Sequence, residues 1–287
     1  DILMELADTQ VLARQFKEAS ATLQQVRQEN NNPDRLEEAL QRQIVALQLS
    51  GMYKESDALC GEFEKTYPKS TLLASVLFRH AENAYLTAVT ALNKNDFPRD
   101  QLPPLFTEAQ NRYQRVLKQF PEYPHAGLAR HALASCQHQL GQYAQAQATL
   151  ASIPEVERNG ELASTNYLLA ECLIRQLPNE AEDALRAAEV VQQAENAAKL
   201  LEAFLASQAA SPQGQDAYLK LGYCYQRVAA LLADAAELKK LRTQAREAYE
   251  KCLANFQNTP AQQTAVFERG KLLALLGDVG GATNELG

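Results

Sequence analysis

The sequence lacks several features that would narrow its function at once. Its 287 residues include no Trp, only four His, and no run of about 20 apolar residues of the kind that spans a bilayer. The sequence has no Gly-rich phosphate loop, no Gly-x-Ser-x-Gly elbow and no His-Glu-x-x-His pair, so none of these catalytic motifs indicates an enzyme. Long runs of β-branched residues are missing as well, which disfavours strands.

An excess of basic charge is also missing. Lys and Arg number 28 against 35 Asp and Glu, which gives a net charge of −7. Proteins that bind nucleic acid in general neutralise phosphates with clustered Lys and Arg. The acidic balance therefore argues against nucleic acid as the partner.

What the sequence does contain favours helices. Apolar residues make up 46% of the chain, and Ala and Leu, both strong helix formers, supply much of that share. The length suits either two ordinary domains or one elongated array of repeats. Asp1 and Gly287 both fall inside helical patterns, so we expect this sequence to be a piece of a longer protein.

One pattern recurs along the chain: a helix, a short turn and a second helix. The turn carries Gly-x-aromatic, as in Gly51-Met-Tyr53 and Gly141-Gln-Tyr143, and the second helix ends near a Pro, which cannot continue a helix. Each second helix has one small residue followed four positions later by a larger one. The small residues are Ala19, Ser56, Ala109, Ala146, Ala197, Ala245 and Ala282.

These residues resemble the tetratricopeptide-repeat (TPR) family over essentially the whole chain. The resemblance implies an all-α, right-handed α-solenoid of about seven helical hairpins, forming a single superhelical domain over 1–287. In that family the small residue lets the paired helices approach closely. The expected repeats are 1–35, 36–70, 71–124, 125–160, 161–213, 214–261 and 262–287.

The repeats are spaced by about 36–37 residues, where the family usually has about 34. The extra residues lie in exit turns such as Phe120-Pro-Glu-Tyr-Pro-His125. This turn style resembles bacterial cell-envelope TPR proteins, such as the Tol–Pal coordinator and the β-barrel-assembly lipoprotein, and implies a periplasmic or envelope location. Five cysteines without a pairing pattern favour a reducing compartment, so the cytoplasm is the alternative.

Repeats three, five and six are longer than the others. The Pro-rich segment Asn93–Pro104 predicts a loop, whereas Leu177–Ala194 and Val228–Arg242 have apolar residues at helical spacing and predict helix extensions. Insertions in solenoids map to one face, which is often the binding face. The alternative is a lengthening without function.

The cysteines and histidines do not indicate a metal site. No Cys-x2-Cys occurs, and His131 and His138 are seven residues apart without the His-x3-His spacing of helical zinc sites. We predict no metal and no cofactor. Core positions of the repeat are occupied by Cys60, Cys136, Cys172, Cys224 and Cys252, which we interpret as packing residues rather than ligands or disulfide partners.

The TPR resemblance also nominates a binding surface, because the first helices of such arrays line the concave face. The exposed first-helix positions, by residue, are Gln41, Arg42, Val45, Gln48, His131, Ser135, His138, Tyr167, Glu171, Arg175, Lys220, Tyr223 and Arg227. Arg175, Lys220 and Arg227 with Tyr223 predict a basic, aromatic patch for an acidic peptide or a C-terminal carboxylate. A charged, solvated face is the alternative.

Together these observations predict a non-catalytic protein–protein interaction scaffold that binds a peptide or protein partner. The alternative is a docking or regulatory region of a larger protein whose activity lies elsewhere. An enzyme with its site in the inserted helices is a third possibility, and it requires a convergent cluster of polar residues that the sequence does not show.

Overall fold

The computed structural model describes residues 2–29, 33–178, 183–256 and 259–286. It is 81% helical, and no β-strand occurs in these ranges, so the all-α prediction is confirmed. The α-helices in these ranges are α1 (Ile2–Leu12), α2 (Phe16–Glu29), α3 (Leu36–Leu49), α4 (Tyr53–Thr66), α5 (Leu73–Leu92), α6 (Leu102–Gln119), α7 (Ala126–Gln139), α8 (Tyr143–Ala151), α9 (Thr165–Arg175), α10 (Ala184–Gln208), α11 (Pro212–Ala229), α12 (Ala235–Asn255), α13 (Pro260–Leu275) and α14 (Val279–Leu286).

The helices form two compact units, Asp1–Gln142 (unit 1) and Tyr143–Gly287 (unit 2). In both units every helix packs against the next one along the chain. In addition, α3 contacts α5, α5 contacts α7, and α11 contacts α13. Such packing between neighbours is that of stacked helical hairpins, in which odd-numbered helices are first helices and even-numbered ones second helices. The single domain over 1–287 and its repeat boundaries remain predictions.

The small residues of the second helices lie in the core, as the repeat pattern predicts. Six of them, from Ala19 to Ala245, have no exposed surface, and Ala282 is 5% exposed. In the six hairpins from Ala19 to Ala245, the larger residue four positions later is also buried, for example Leu23, Tyr113 and Leu201. The small residue admits the partner helix, and the large residue fills the space between hairpins.

The hairpin turns depend on a left-handed backbone at one position. Gly51 and Gly141 have φ of 79° and 73°, which glycine adopts without the steric penalty of a Cβ. In the first hairpin the same position, two residues before the second helix begins, is occupied by Arg14 with φ of 58°. Arg14 is the one non-Gly residue with positive φ among the described residues.

The predicted insertions differ in part from the structure. The loop predicted for Asn93–Pro104 is shorter, because α6 begins at Leu102 and takes Pro103 and Pro104 into its first turn, where a missing N–H loses no helical hydrogen bond. The helix extension predicted over Val228–Arg242 is interrupted at 230–234, where Asp234 caps α12 by accepting a hydrogen bond from the N–H of Glu237 at 2.8 Å. Part of Leu177–Ala194, residues 179–182, lies outside the described residues.

The packing role of the cysteines is confirmed. All five are buried and free. Burial raises the pKa of Cys60, Cys136, Cys172 and Cys224 to about 12 and that of Cys252 to about 11. These thiols are therefore protonated at neutral pH, and a thiol is a far weaker nucleophile than a thiolate.

The unusual backbone at Arg14 predicts an increase in stability. Arg14→Gly removes the Cβ penalty of the left-handed conformation, so we expect the free energy of unfolding to rise by about 1 kcal/mol. In the reciprocal variant Gly51→Ala, the added Cβ meets no other atom but brings the steric penalty of the left-handed conformation. We expect this variant to lower the free energy of unfolding by about 1 kcal/mol. Urea denaturation followed by circular dichroism measures both. Equal free energies of unfolding for Arg14→Gly and the parent chain would contradict a strained left-handed backbone at Arg14.

Candidate functional site

Two neighbouring first helices of unit 2 bring six of the thirteen nominated residues together. Tyr167, Glu171 and Arg175 are four residues apart on α9, so their side chains lie on one face of that helix. Lys220, Tyr223 and Arg227 are three and four residues apart on the neighbouring first helix, α11. We call this surface, with the corresponding face of α13, the first-helix face of unit 2.

A buried carboxylate joins the two helices. Glu171 is only 4% exposed and forms an ion pair with Lys220. The Arg175 Nε donates to the Glu171 Oε1 at 2.8 Å. Lys220 forms a second ion pair with Asp216, one turn earlier on α11. The predicted exposure of Glu171 is therefore wrong, because its carboxylate is enclosed between two cations.

Tyr167 completes this network. Its hydroxyl donates to the Asp216 Oδ2 at 2.6 Å, and the Lys220 Nζ lies 5.2 Å from its ring centroid. Burial and the hydrogen bond to Asp216 raise the pKa of Tyr167 to about 12. Burial alone would lower the pKa of Lys220, but the carboxylates of Asp216 and Glu171 outweigh it and raise that pKa above its usual value. Lys220 is thus a fixed charge inside an ion-pair network.

The predicted basic patch is consequently much less basic than its sequence suggests. Lys220 is paired with two carboxylates and Arg175 with one. The Arg227 Nη2 donates to the backbone oxygen of Pro178 at 2.7 Å. Sequence reasoning missed Asp216, although its position four residues before Lys220 is the spacing of a helical ion pair.

A groove lies beside this network, between α11 and α13. It has a volume of about 510 Å³. The side chains that line it are Leu219, Lys220, Tyr223, Gln226, Arg227, Tyr249, Thr264, Glu268 and Lys271. The members from α13 were not nominated from the sequence, although 264, 268 and 271 repeat the three- and four-residue spacing of the α11 residues.

Hydrogen bonds fix the polar side of this groove. The Tyr249 hydroxyl donates to the Gln226 Oε1 at 2.8 Å, and the Gln226 Nε2 donates to the Glu268 Oε2 at 3.1 Å. Lys271 forms an ion pair with Glu268 at 2.8 Å. Tyr223 is 40% exposed at the groove, so an aromatic surface remains open to a ligand beside oriented polar groups.

The nominated residues of unit 1 lie on α3 and α7. On α3, Arg42 forms ion pairs with Asp8 and Glu38, and Gln41 and Val45 are half-buried. Gln48 is 5% exposed, and its Nε2 donates to the Asn83 Oδ1 at 2.9 Å. Its predicted exposure is wrong because a polar partner on α5 draws the side chain into the core.

On α7, the three nominated residues are half-buried. The Ser135 Oγ donates to the backbone oxygen of His131 at 3.0 Å, and burial lowers the pKa of His131. His138 lies one further turn along the same helix. Within the described ranges, no group of three or more His, Cys, Asp and Glu side chains has the geometry to hold a metal ion. None of the described helices combines the length and apolarity needed to cross a membrane.

Comparison with known proteins supports the TPR resemblance. A family model described as tetratricopeptide repeat matches residues 106–165, from α6 to the start of α9. No curated protein matches the chain. The family match therefore covers only a part of the sequence.

Two solved structures share the fold at low sequence identity. A tetratricopeptide repeat protein from Parabacteroides merdae is 13% identical, with a TM-score of 0.55, and the match covers 99% of this chain and 89% of that one. YrrB, described as a TPR protein with an unusual peptide-binding site, is 14% identical, with a TM-score of 0.55 and coverage of 85% and 96%. At these identities the similarity shows a TPR-like α-solenoid fold.

The ion-pair network predicts a large effect from one cation. Lys220→Met leaves the carboxylates of Glu171 and Asp216 without their shared cation, so we expect the free energy of unfolding to fall by about 2 kcal/mol. Adding Glu171→Gln removes the uncompensated buried charge and should recover part of the loss. Urea denaturation measures both.

A matched control for this prediction is Lys239→Met, which removes an exposed Lys from α12 and should change stability by less than about 0.5 kcal/mol. If Lys220→Met were as mild as this control, the network would contribute nothing to the fold.

Proposed function

We propose that this chain is a non-catalytic protein–protein interaction scaffold that binds a peptide segment of its partner on the first-helix face of unit 2. The observation that carries the proposal is the groove between α11 and α13, in which the ring of Tyr223 is exposed beside Gln226, Thr264 and Arg227. A groove of about 510 Å³ has the size of a site for one or two side chains and their backbone.

The lining of the groove supports a peptide rather than a strongly charged ligand. Tyr and Arg are enriched among the residues that dominate binding energy at interfaces. The amide of Gln226 and the hydroxyl of Thr264 offer both donors and acceptors, as a peptide backbone requires. These groups suit an extended segment that inserts an apolar or aromatic side chain against Tyr223.

The charges on the first-helix face of unit 2 bear on the prediction that it binds an acidic peptide. The first-helix face of unit 2 carries four cations, Arg175, Lys220, Arg227 and Lys271, against three carboxylates, Glu171, Asp216 and Glu268. Because most of these charges are paired with each other, affinity comes mainly from the aromatic and hydrogen-bonding groups.

Two further observations support a scaffold that uses its first helices. YrrB, which shares the fold, is described as having a peptide-binding site. In unit 1, the first-helix residues Gln41, Arg42 and Val45 on α3 and the polar residues of α7 are at least partly accessible, and we propose them as contacts for other parts of the partner.

The proposal includes a role in a bacterial envelope complex, which rests on the exit turns and the spacing of about 36–37 residues. The sequence of the full-length gene tests this part. A signal sequence with a lipobox is expected. A fused catalytic domain would instead favour a docking region within a larger enzyme, the alternative from the sequence.

A peptide-selection experiment tests the proposed groove. The immobilised chain is used to select binders from a random peptide library, and the affinity of a selected peptide is measured by fluorescence anisotropy. Because Tyr223 supplies the exposed aromatic surface, we expect Tyr223→Ala to weaken binding on the order of tenfold or more.

The matched control is Leu185→Ala, which removes a large apolar side chain that is 72% exposed on α10, away from the first-helix face. It should leave the affinity unchanged. Selected peptides that bind Tyr223→Ala as tightly as the parent chain would show that the groove is the wrong site. Failure to enrich any peptide would contradict peptide binding itself.

A further inference from the structure

Unit 2 has a second cavity, on the side formed by its second helices. It lies between α10 and α12, with α11 beneath them, and has a volume of about 380 Å³. This size lies within the range of small-ligand sites. The cavity shares no lining residue with the groove between α11 and α13, so it is a separate surface.

The floor of the cavity is apolar and aromatic. Leu205, Tyr218 and Leu221 line it and are each less than 9% exposed, because they also pack in the main core of unit 2. The floor is therefore part of a rigid core and is formed before any ligand arrives. It suits the methylene stem of a long side chain.

The rim at one end of the cavity carries two carboxylates and an aromatic ring. Glu202 comes from α10, Glu247 from α12, and Tyr225 from α11 between them. The Tyr225 hydroxyl donates a hydrogen bond to the Glu202 carboxylate. Burial and then the hydrogen bond to Glu202 raise the pKa of Tyr225 above its usual range, and the charge of Glu247 adds to this in the same direction.

The cavity lining contains one cation, Lys251, which follows Glu247 by four residues on α12. Its side chain is exposed to solvent. With two carboxylates against this one cation, the lining keeps a net negative charge.

Unit 1 provides an internal comparison. The groove between its second helices α2 and α4 has a volume of about 580 Å³, and its lining includes Lys17, Arg27 and Glu55 but no aromatic side chain among the described residues. Arg27 there is ion-paired with Glu62. The same architectural position therefore has no acidic excess and no aromatic ring in the described lining of unit 1, but two carboxylates and two Tyr rings in unit 2. The acidic, aromatic character is a property of these particular residues and not of the hairpin geometry.

We propose that the cavity between α10 and α12 binds an Arg or Lys side chain presented by a protein partner. The cationic group lies between Glu202 and Glu247 against the ring of Tyr225, where carboxylates and an aromatic surface both favour it. The stem of the side chain covers Leu205 and Leu221. Unit 2 then has two binding surfaces, one on each helix layer, and this second one does not depend on the proposed peptide groove.

The test uses a capped amino acid as the probe. The full chain is labelled selectively at Tyr and titrated with N-acetyl-arginine N-methylamide. The NMR signals of the Tyr residues of unit 2 are followed during the titration. We expect saturable shifts of Tyr218 and Tyr225. N-acetyl-norleucine N-methylamide has a similar stem without the charge and is expected to bind on the order of tenfold more weakly.

Two variants with the same net charge separate the cavity from general electrostatics. The double variant Glu202→Gln and Glu247→Gln should lower the affinity for the arginine probe on the order of tenfold. The control Glu195→Gln and Glu237→Gln removes two carboxylates from the same helices outside the cavity and should leave binding unchanged.

Three results would overturn the proposal: no saturable shift with the arginine probe, equal affinity for the norleucine probe, or equal weakening by the two double variants. Circular dichroism confirms that each variant keeps its helix content, so that a loss of binding reports on the site. Peptide binding at the groove between α11 and α13 is measured in the same variants and should persist, because it concerns other residues.

Discussion

The close approach of paired helices at one small residue per second helix is the constraint on which the rest of the structure depends. Where Ala occupies this position in unit 2, as at Ala197 and Ala245, the neighbouring first helix packs against a surface without protruding side chains. Gly222 on α11 shows how tight this packing is, because a Cβ there would lie 2.5 Å from the ring of Tyr249. Helices held this closely leave their outer faces as rigid surfaces, and both proposed sites are built on such faces.

This constraint explains why the sequence predicts the fold well. Small residues, turn glycines and prolines are local signals, and what each does to the backbone depends little on distant residues. The left-handed turns at Gly51 and Gly141 and the buried cysteines agree with that reading. The boundaries of the inserted segments were less predictable, because a Pro can follow the end of one helix or lie in the first turn of the next. Pro103 lies in the first turn of α6.

The candidate site was predicted less well, for a different reason. Register on a first helix predicts which side chains share a face, but not which of them find partners on the next helix. Gln48 and Glu171 were expected at the surface and are buried, because Asn83 and Lys220 lie opposite them. Pairing across helices depends on tertiary distances, so the charge of the unit 2 face could not be read from its Arg and Lys residues alone. The three- and four-residue spacing of a helix face could have identified Thr264, Glu268 and Lys271 as lining residues of the groove.

The two layers of unit 2 therefore have different chemistry on one rigid frame, with near-neutral aromatic character on the first helices and acidic aromatic character on the second. Hydrogen-exchange mass spectrometry with a selected peptide bound tests the central claim most directly. The account predicts that added protection is concentrated in α11 and α13. Protection confined to α10 and α12, or none in unit 2, would contradict the assignment of the first-helix face as the peptide-binding surface.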